Sequence, residues 1–509
     1  MSKYVDFIND VAGVSGAKKT TEVLQKYKGN KEIEVFLHLA LDPSFNWFQS
    51  SIDPSAAEPH PYTQHQESFT FFLNEMYTLH TNGMPRGGEG KAKIAELYHQ
   101  VPKEEQFLCD LVVERSLKAG CGAKTISKVF GRHIVDVLPY MRCELFKHAD
   151  GKKKATYDGY DWKACIHSEL KADGAFYNGI VSVDDTLLRT RQGTVIPMVH
   201  QLERLYRDTE ALGATLSSLY GIEEPVIHGE MLVTAGVGGL VLYAGTKDEI
   251  EFDEDELLPR EVSNGLITGL LKTGDPLPPG AVVHAQVWDV IPKAEWLSGK
   301  GTVERGDRRA MLEGALDAIP NTDFSLELIP MRIVYSPQEA AQHFAEMTSQ
   351  GLEGTVIKNP KGLFKDGNSK DQLKMKIVFD VDLEFVGFNK ADQKGKYADL
   401  FGSIQLKTRD GLLEVGCSGM SVDLRNQIFE MGEDRLKGKI FTVSTNGVMP
   451  ASKHNKGVRS LFLPRLAKNS DGSEMDVRVI EHRLDKTEAD SLEEVEAAYQ
   501  LAILGSLES

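Results

Sequence analysis

At 509 residues the chain has room for about three domains with sizeable cores. Apolar residues make up 41% and charged residues 26%, globular values that exclude a disordered polymer, and no apolar run is long enough to span a bilayer. The formal charge of -17 excludes a uniformly basic nucleic-acid coat, because phosphates are gathered by Lys and Arg.

Charge is nevertheless segregated. Residues 248–256 and the tail after Asp485 are acidic, whereas 358–376 carries Lys358, Lys361, Lys365, Lys370, Lys374 and Lys376 against Asp366 and Asp371. A basic surface is therefore compatible with the acidic total. The opening Met1-Ser2-Lys3-Tyr4-Val5-Asp6 lacks the apolar core of a signal peptide, so a cytoplasmic location with no membrane contact is expected. Cys109, Cys121, Cys143, Cys165 and Cys417 form no Cys-x-x-Cys pair, which predicts reduced thiols with neither a zinc knuckle nor a disulfide framework.

In chain order, apolar spacing makes the first ~135 residues helical. The clearest stretch is 104–119, with Phe107, Leu108, Leu111, Val112 and Leu117 facing a core and Arg115 and Lys118 outward. Gly120-Cys121-Gly122 ends it, and a second helix carrying Lys124, Ile126 and Val129 begins near Ala123. Free N–H groups at such a start suit a phosphate, although the spacing by itself favours an ordinary helix-helix turn. A polar surface segment, 147–154, leads into shorter β-like runs at 226–233, 282–290 and 354–358, a mixed middle domain. Beyond Asp380, the runs 403–408 and 412–416 around Arg409-Asp410-Gly411 read as a hairpin. With a strand at 439–445 they suggest a small nucleic-acid-binding β-barrel.

The chemistry centres on Glu169-Leu170-Lys171-Ala172-Asp173-Gly174, a lysine at a strand end before an Asp-Gly turn. A lysine with a reference pKa of ~10.4 attacks phosphorus only when desolvation or a nearby cation disfavours its ammonium form. Taken alone, the stretch is equally an exposed lysine beside a hairpin turn. Carboxylates able to hold a cation do occur, at Glu230 in Val226-Ile227-His228-Gly229-Glu230 and at Glu353 in Gly351-Leu352-Glu353-Gly354. Trp288 in Gln286-Val287-Trp288-Asp289 offers a ring to a base. Lys374 and Lys376 alternate around Met375, so both ammonium groups share a side, as a phosphate clamp needs. No Gly-x-x-x-x-Gly-Lys-Ser/Thr run is present, which excludes a P-loop.

In this order and spacing the residues resemble the covalent nucleotidyltransferases, specifically the ATP-dependent DNA ligases of T-even-type tailed bacteriophages, over nearly the whole chain. Matching stretches include Lys171-Ala172-Asp173-Gly174, Thr190-Arg191-Gln192-Gly193, Arg260-Glu261-Val262-Ser263-Asn264-Gly265, Asp380-Val381-Asp382-Leu383 and Arg483-Leu484-Asp485-Lys486. The resemblance implies a multi-domain α+β protein: an all-α DNA-binding domain over 1–136, a mixed α/β adenylation domain over 137–379 and an OB-fold β-barrel over 380–509. It implies Lys171 as the nucleophile that takes AMP from ATP, and magnesium held by Glu230 and Glu353. The nucleotide would be bound by Glu169, Leu170, Lys171, Arg191, Glu230, Trp288, Glu353, Lys374 and Lys376, with Glu169 reading the adenine amine. Arg483, Asp485 and Lys486 would orient pyrophosphate, and Arg115, Lys118 and Lys124 would bind DNA. The implied partner is nicked double-stranded DNA met by a monomer, in replication, repair or recombination.

Two positions depart from the family pattern: Phe176 stands where a ribose-contacting arginine is usual, and His228 where Asp commonly precedes Gly-Glu. The alternatives are an RNA ligase or RNA-capping nucleotidyltransferase, against which the long helical region before Lys171 weighs, and a catalytically inactive nucleic-acid-binding relative.

Overall fold

The computed structural model describes residues 2–58, 68–147, 154–243, 249–273, 276–320, 324–350, 352–391, 397, 399–449, 451, 457–469, 473–474, 476 and 486–508. Contacts divide the chain into two units: Met1–Glu144 with Glu169–Met331 and Lys358–Leu373, and Leu145–Ser168 with Arg332–Ile357 and Lys374–Ser509.

The first unit opens with helices α1 (Lys3–Ala12), α2 (Ala17–Tyr27), α3 (Lys31–Leu41), α4 (Phe69–Thr81), α5 (Gly87–Gln100), α6 (Gln106–Val113) and α7 (Ala123–Phe130). Their apolar faces share one core in which Tyr4, Phe7, Phe36 and Phe69 meet edge to face, Tyr4 and Phe69 with centroids 4.9 Å apart. Asn30 starts α3 by accepting from the Glu32 and Ile33 N–H groups.

The expected helix over 104–119 is shorter than its apolar spacing predicts. It stops at Val113, and Arg115 and Lys118 turn into left-handed conformations at φ 55° and 48°. Leu117 and Ala119 still reach the core, from a turn instead of a helix face. The cause is tertiary: Arg115 Nη2 donates to the Asp42 carbonyl at 2.9 Å and Nη1 to Thr194 Oγ1 at 3.4 Å. The second helix begins at Ala123 as expected.

After β1 (Met141–Leu145) and β2 (Ile166–Leu170) come β3 (Ala175–Val181), β4 (Thr186–Thr190), α8 (Leu202–Tyr220), β5 (Pro225–Ala235) and a hairpin of β6 (Leu240–Tyr243) and β7 (Glu249–Phe252). Then follow α9 (Arg260–Thr273), β8 (Ala281–Pro292), α10 (Lys293–Ser298), β9 (Lys300–Glu304), α11 (Arg305–Asp317), β10 (Leu326–Leu328) and β11 (Met331–Val334). The series ends with α12 (Pro337–Ser349), β12 (Thr355–Lys358), β13 (Leu363–Lys365) and β14 (Gly367–Lys374). One sheet runs β10-β8-β5-β3-β4, antiparallel except for β8–β10; another runs β1-β14-β12-β2-β11, and β13 pairs with β9.

Strand alternation gives the first of these sheets two different faces. Tyr177, Ile227, Met231, Val283 and Val287 point into a core built with α8, α9 and α11. Val226 and Ile291 point the other way, toward Leu138, Trp296 and Phe364.

In the second unit, β15 (Phe379–Lys390), β16 (Phe401–Lys407), β17 (Glu414–Cys417), β18 (Ile440–Thr445) and a short strand at Arg465–Leu466 form an antiparallel sheet in the order β17-β16-β15-β18 and the short strand. The expected hairpin is present, with Gly411 at φ 69° after Asp410. The last helix, Leu492–Glu508, packs against α12. Among the described residues no disulfide joins the five cysteines. Among the described residues no helix is long and apolar enough to cross a membrane.

Candidate active site

β2 ends at Leu170, whose N–H donates to the Pro330 carbonyl at 2.9 Å, and residues 171–174 then carry the chain into β3. Because β2 and β3 belong to different sheets, the loop is a crossover between sheets and not a hairpin turn. Lys171 is half-buried and Ala172 buried.

The loop is latched to the neighbouring strand. The Gly174 N–H donates to Glu230 Oε2 at 3.0 Å, and Phe176 pairs opposite Glu230 in the β3–β5 ladder. A Cβ at position 174 would lie 2.1 Å from the Met231 carbonyl oxygen, so only glycine lets the backbone come this close. Across β5, the β8 register shifts between His228 and Gly229, leaving Trp288 as the extra residue of a bulge. The Trp288 ring lies 5.7 Å from Phe176 and 5.6 Å from Lys358 Nζ. Phe176 also meets Tyr140 at 5.0 Å and His228 at 5.8 Å, and the exposed Arg191 guanidinium stacks over Tyr140 at 4.3 Å. Position 176 thus holds a ring cluster where the family pattern places a guanidinium.

Under this surface lies a buried charge cluster. Glu169, fully buried, pairs with Arg305, with Arg309 at 3.2 Å and with Lys358 at 2.5 Å. Burial pushes the Glu169 carboxyl up, but Arg305, Lys358 and Arg309 outweigh it and hold it below the usual carboxylate range. Burial, opposed by Glu169, draws the Lys358 ammonium down. Beside them Asp289 takes a two-toothed grip from Arg308, at 2.7 and 3.0 Å, which keeps it ionised against its burial.

The arginines escaped the sequence reading, although a signal was there. Arg305, Arg308 and Arg309 continue the same buried α11 stripe as Leu312 and Ala315, so a helix face that should be apolar is cationic for its first turns.

His228, 4% exposed, sits among the Phe176, Trp296 and Phe364 rings, and its Nε2 has no partner among the described residues. Burial pulls its pKa from 6.5 to about 4. The unfolded chain therefore binds the proton first. The neutral ring's contribution is complete above pH 6.5 and is lost as pH falls toward about 4, a span worth about 3 kcal/mol. We expect His228→Phe to flatten that part of the stability-versus-pH curve in denaturant titrations; an unchanged slope would exclude the assignment.

The remaining sequence-predicted positions fall as follows. In the second unit, Glu353 is half-buried before Gly354, whose φ of 131° and approach to the Phe344 ring exclude a Cβ. β14 ends at Lys374, two residues short of the alternating run to Lys376, and the Met375 N–H donates to the Thr355 carbonyl at 2.9 Å. Lys374 and Lys376 remain half-buried on either side of buried Met375, keeping the alternation. Lys486 is paired with Asp382 at 3.1 Å and Asp490 at 3.3 Å, while Arg483 and Asp485 lie outside the described residues. In the helical region Lys118 pairs with Glu114 at 2.6 Å, and Lys124 is exposed, 3.7 Å from Asp366.

The family model described as ATP dependent DNA ligase domain matches residues 282–376, which span Trp288, Glu353 and both lysines of the pair. The DNA ligase of Enterobacteria phage T4 is 24% identical over 509 residues, covering 96% of this chain and 97% of that one. The chain belongs to the ATP-dependent DNA ligases. The DNA ligase of Enterobacteria phage T6 is likewise 24% identical, with the same coverage. The solved structure Pmar-Lig_Pre shares the fold at a TM-score of 0.62 and 15% identity, over 92% of this chain and 99% of that one. The match to the family model does not include Lys171 or Glu230.

Proposed function

We propose that this ATP-dependent ligase seals nicks in duplex DNA through an adenylate on Lys171, and that the latch between the Lys171 loop and Glu230 carries the reading. The Lys171 amine attacks the α-phosphorus of ATP; an N–P bond forms, the bond to pyrophosphate breaks and the ammonium proton is lost. A 5′-phosphate oxygen at the nick then takes the adenylyl group, freeing the amine. The adjacent 3′-hydroxyl attacks that phosphate, a phosphodiester forms and AMP leaves. Storing AMP on an amine divides one hard transfer into easier ones.

Within the first unit Trp288 offers its ring to the adenine, while Glu169, held by Arg305, Arg309 and Lys358, fixes the strand end from which Leu170 and Lys171 project. Arg191 reaches the ribose or the nick phosphate. Glu353, Lys374, Lys376, Lys486, Arg483 and Asp485 are assigned to the phosphates. No cluster of three metal-ligating side chains occurs among the described residues. The Glu230 oxygens nonetheless suit magnesium, which takes one or two carboxylates and keeps its waters and phosphate ligands. Bound there, magnesium would offset charge on the transferring phosphoryl group. The second-unit sheet is assigned as the OB-fold barrel, 380–509, and the helices of 1–136 as the DNA-binding domain, with Arg115 and Lys118 shaping its surface and Lys124 on it. A monomer suffices for this chemistry.

The test is to incubate the protein with labelled ATP or GTP and magnesium, then with a nicked duplex of DNA or of RNA. Label that survives denaturation from ATP alone, and joins only DNA, is expected. Label from GTP would favour a capping reaction, transfer only to RNA an RNA ligase, and no label a binding protein. Gly174→Ala is expected to slow adenylation about 100-fold, because displacing the loop from Glu230 misplaces the amine by an ångström or so. A rate close to that of the unaltered protein would show that the latch is dispensable.

A further inference from the structure

A groove of about 860 Å³ opens in the first unit, with no residue of the Lys171 loop in its lining. One wall is α7 and the turn after it, with Lys124, Lys128 and Arg132; the other is the β9–β13 hairpin and its approaches, with Lys300, Lys361 and Lys365. Arg132 Nη1 ties the walls together by donating to the Leu297 carbonyl at 3.1 Å. Only Asp366 and Asp371 answer these cations in the lining, and Asp371 is occupied by the side chains of Asn359 and Ser369. Among the described residues Lys128, Lys300, Lys361 and Lys365 have no ion-pair partner, in a chain whose formal charge is -17.

Gathering lysines in one groove of an acidic protein costs self-repulsion, which a polyanion relieves. Lysine heads on flexible stems are point charges, suited to phosphates and blind to base sequence. The groove also adjoins the site through ring contacts. Phe364, in its lining, meets His228 at 5.9 Å, His228 meets Phe176 at 5.8 Å, and Phe176 meets Trp288 at 5.7 Å.

The geometry points to this groove as the seat of a stretch of DNA sugar-phosphate backbone, held by Lys128, Lys300, Lys361 and Lys365 while the nick lies at Lys171. The inference rests on the nick-sealing reading above. It assigns sequence-blind anchoring to residues outside the nucleotide site.

The experiment compares the full chain with K128Q/K300Q/K361Q and with the matching triple arginine variant, measuring nicked-duplex affinity across about 50–200 mM salt and ATP-dependent labelling in parallel. In the glutamine variant the slope of log K against log salt should fall by about 3, one per lost phosphate contact. Affinity at the lowest salt should drop more than about tenfold. Labelling and melting temperature should stay unchanged, and the arginine variant should keep the slope. An unchanged slope and affinity in the glutamine variant, with the unaltered protein binding well, overturns the groove alone. Loss of labelling without loss of melting temperature also overturns it, placing the lysines in the ATP half-reaction. Failure of the unaltered protein to bind nicked DNA overturns both readings.

Discussion

Lys171→Ala is expected to abolish covalent retention of the adenylyl group from ATP, and Lys171→Arg to do the same. The arginine comparison carries the argument. A guanidinium keeps the charge and the reach but stays protonated with a pKa above ~12, so it has no lone pair to offer phosphorus. Lys171 is half-buried in a loop between two sheets, so its loss should shift stability by less than about 1 kcal/mol. Sealing of a nick supplied with its 5′-phosphate already adenylated should persist, because the last transfer uses no amine. Retained label on either variant, read after denaturation and gel separation, would place the nucleophile elsewhere.

Glu169→Gln should have the second largest effect, and on folding more than on chemistry. The amide leaves Arg305, Arg309 and Lys358 buried together with no counter-charge, and removing one member of such a buried set costs about 3–5 kcal/mol. Lys358→Met should cost less, because both arginines still face the carboxylate. The pair of changes together should cost less than their sum, since one removes a charge that the other leaves unpaired. Denaturant midpoints of the single and double variants measure this; strict additivity would mean the groups do not act as a cluster. The sign with pH follows from the lowered carboxyl pKa: the stabilisation is complete above the usual carboxylate range and is lost as acid protonates Glu169, a limb that Glu169→Gln should lack.

By itself the sequence determined what depends on neighbours a few residues apart. The β5 and β8 strands follow from the β-like runs at 226–233 and 282–290, the α7 start from a glycine turn, and the hairpin before β17 from Asp410-Gly411. It also offered Lys171, Glu230, Glu353 and Trp288 as candidate site residues, because their order resembles that of the covalent nucleotidyltransferases.

Only the tertiary structure decided the rest. It ended α6 at Val113, where hydrogen bonds from Arg115 to Asp42 and Thr194 outweigh helical continuation. It turned the lysine loop from an apparent hairpin into a crossover between sheets, and filled position 176 with a ring cluster. It brought Arg305 and Arg309 to Glu169 across 136 and 140 residues of chain. Periodicity reports which face of an element is buried, but whether a buried arginine finds a carboxylate depends on strand order and register, which no short window of sequence contains.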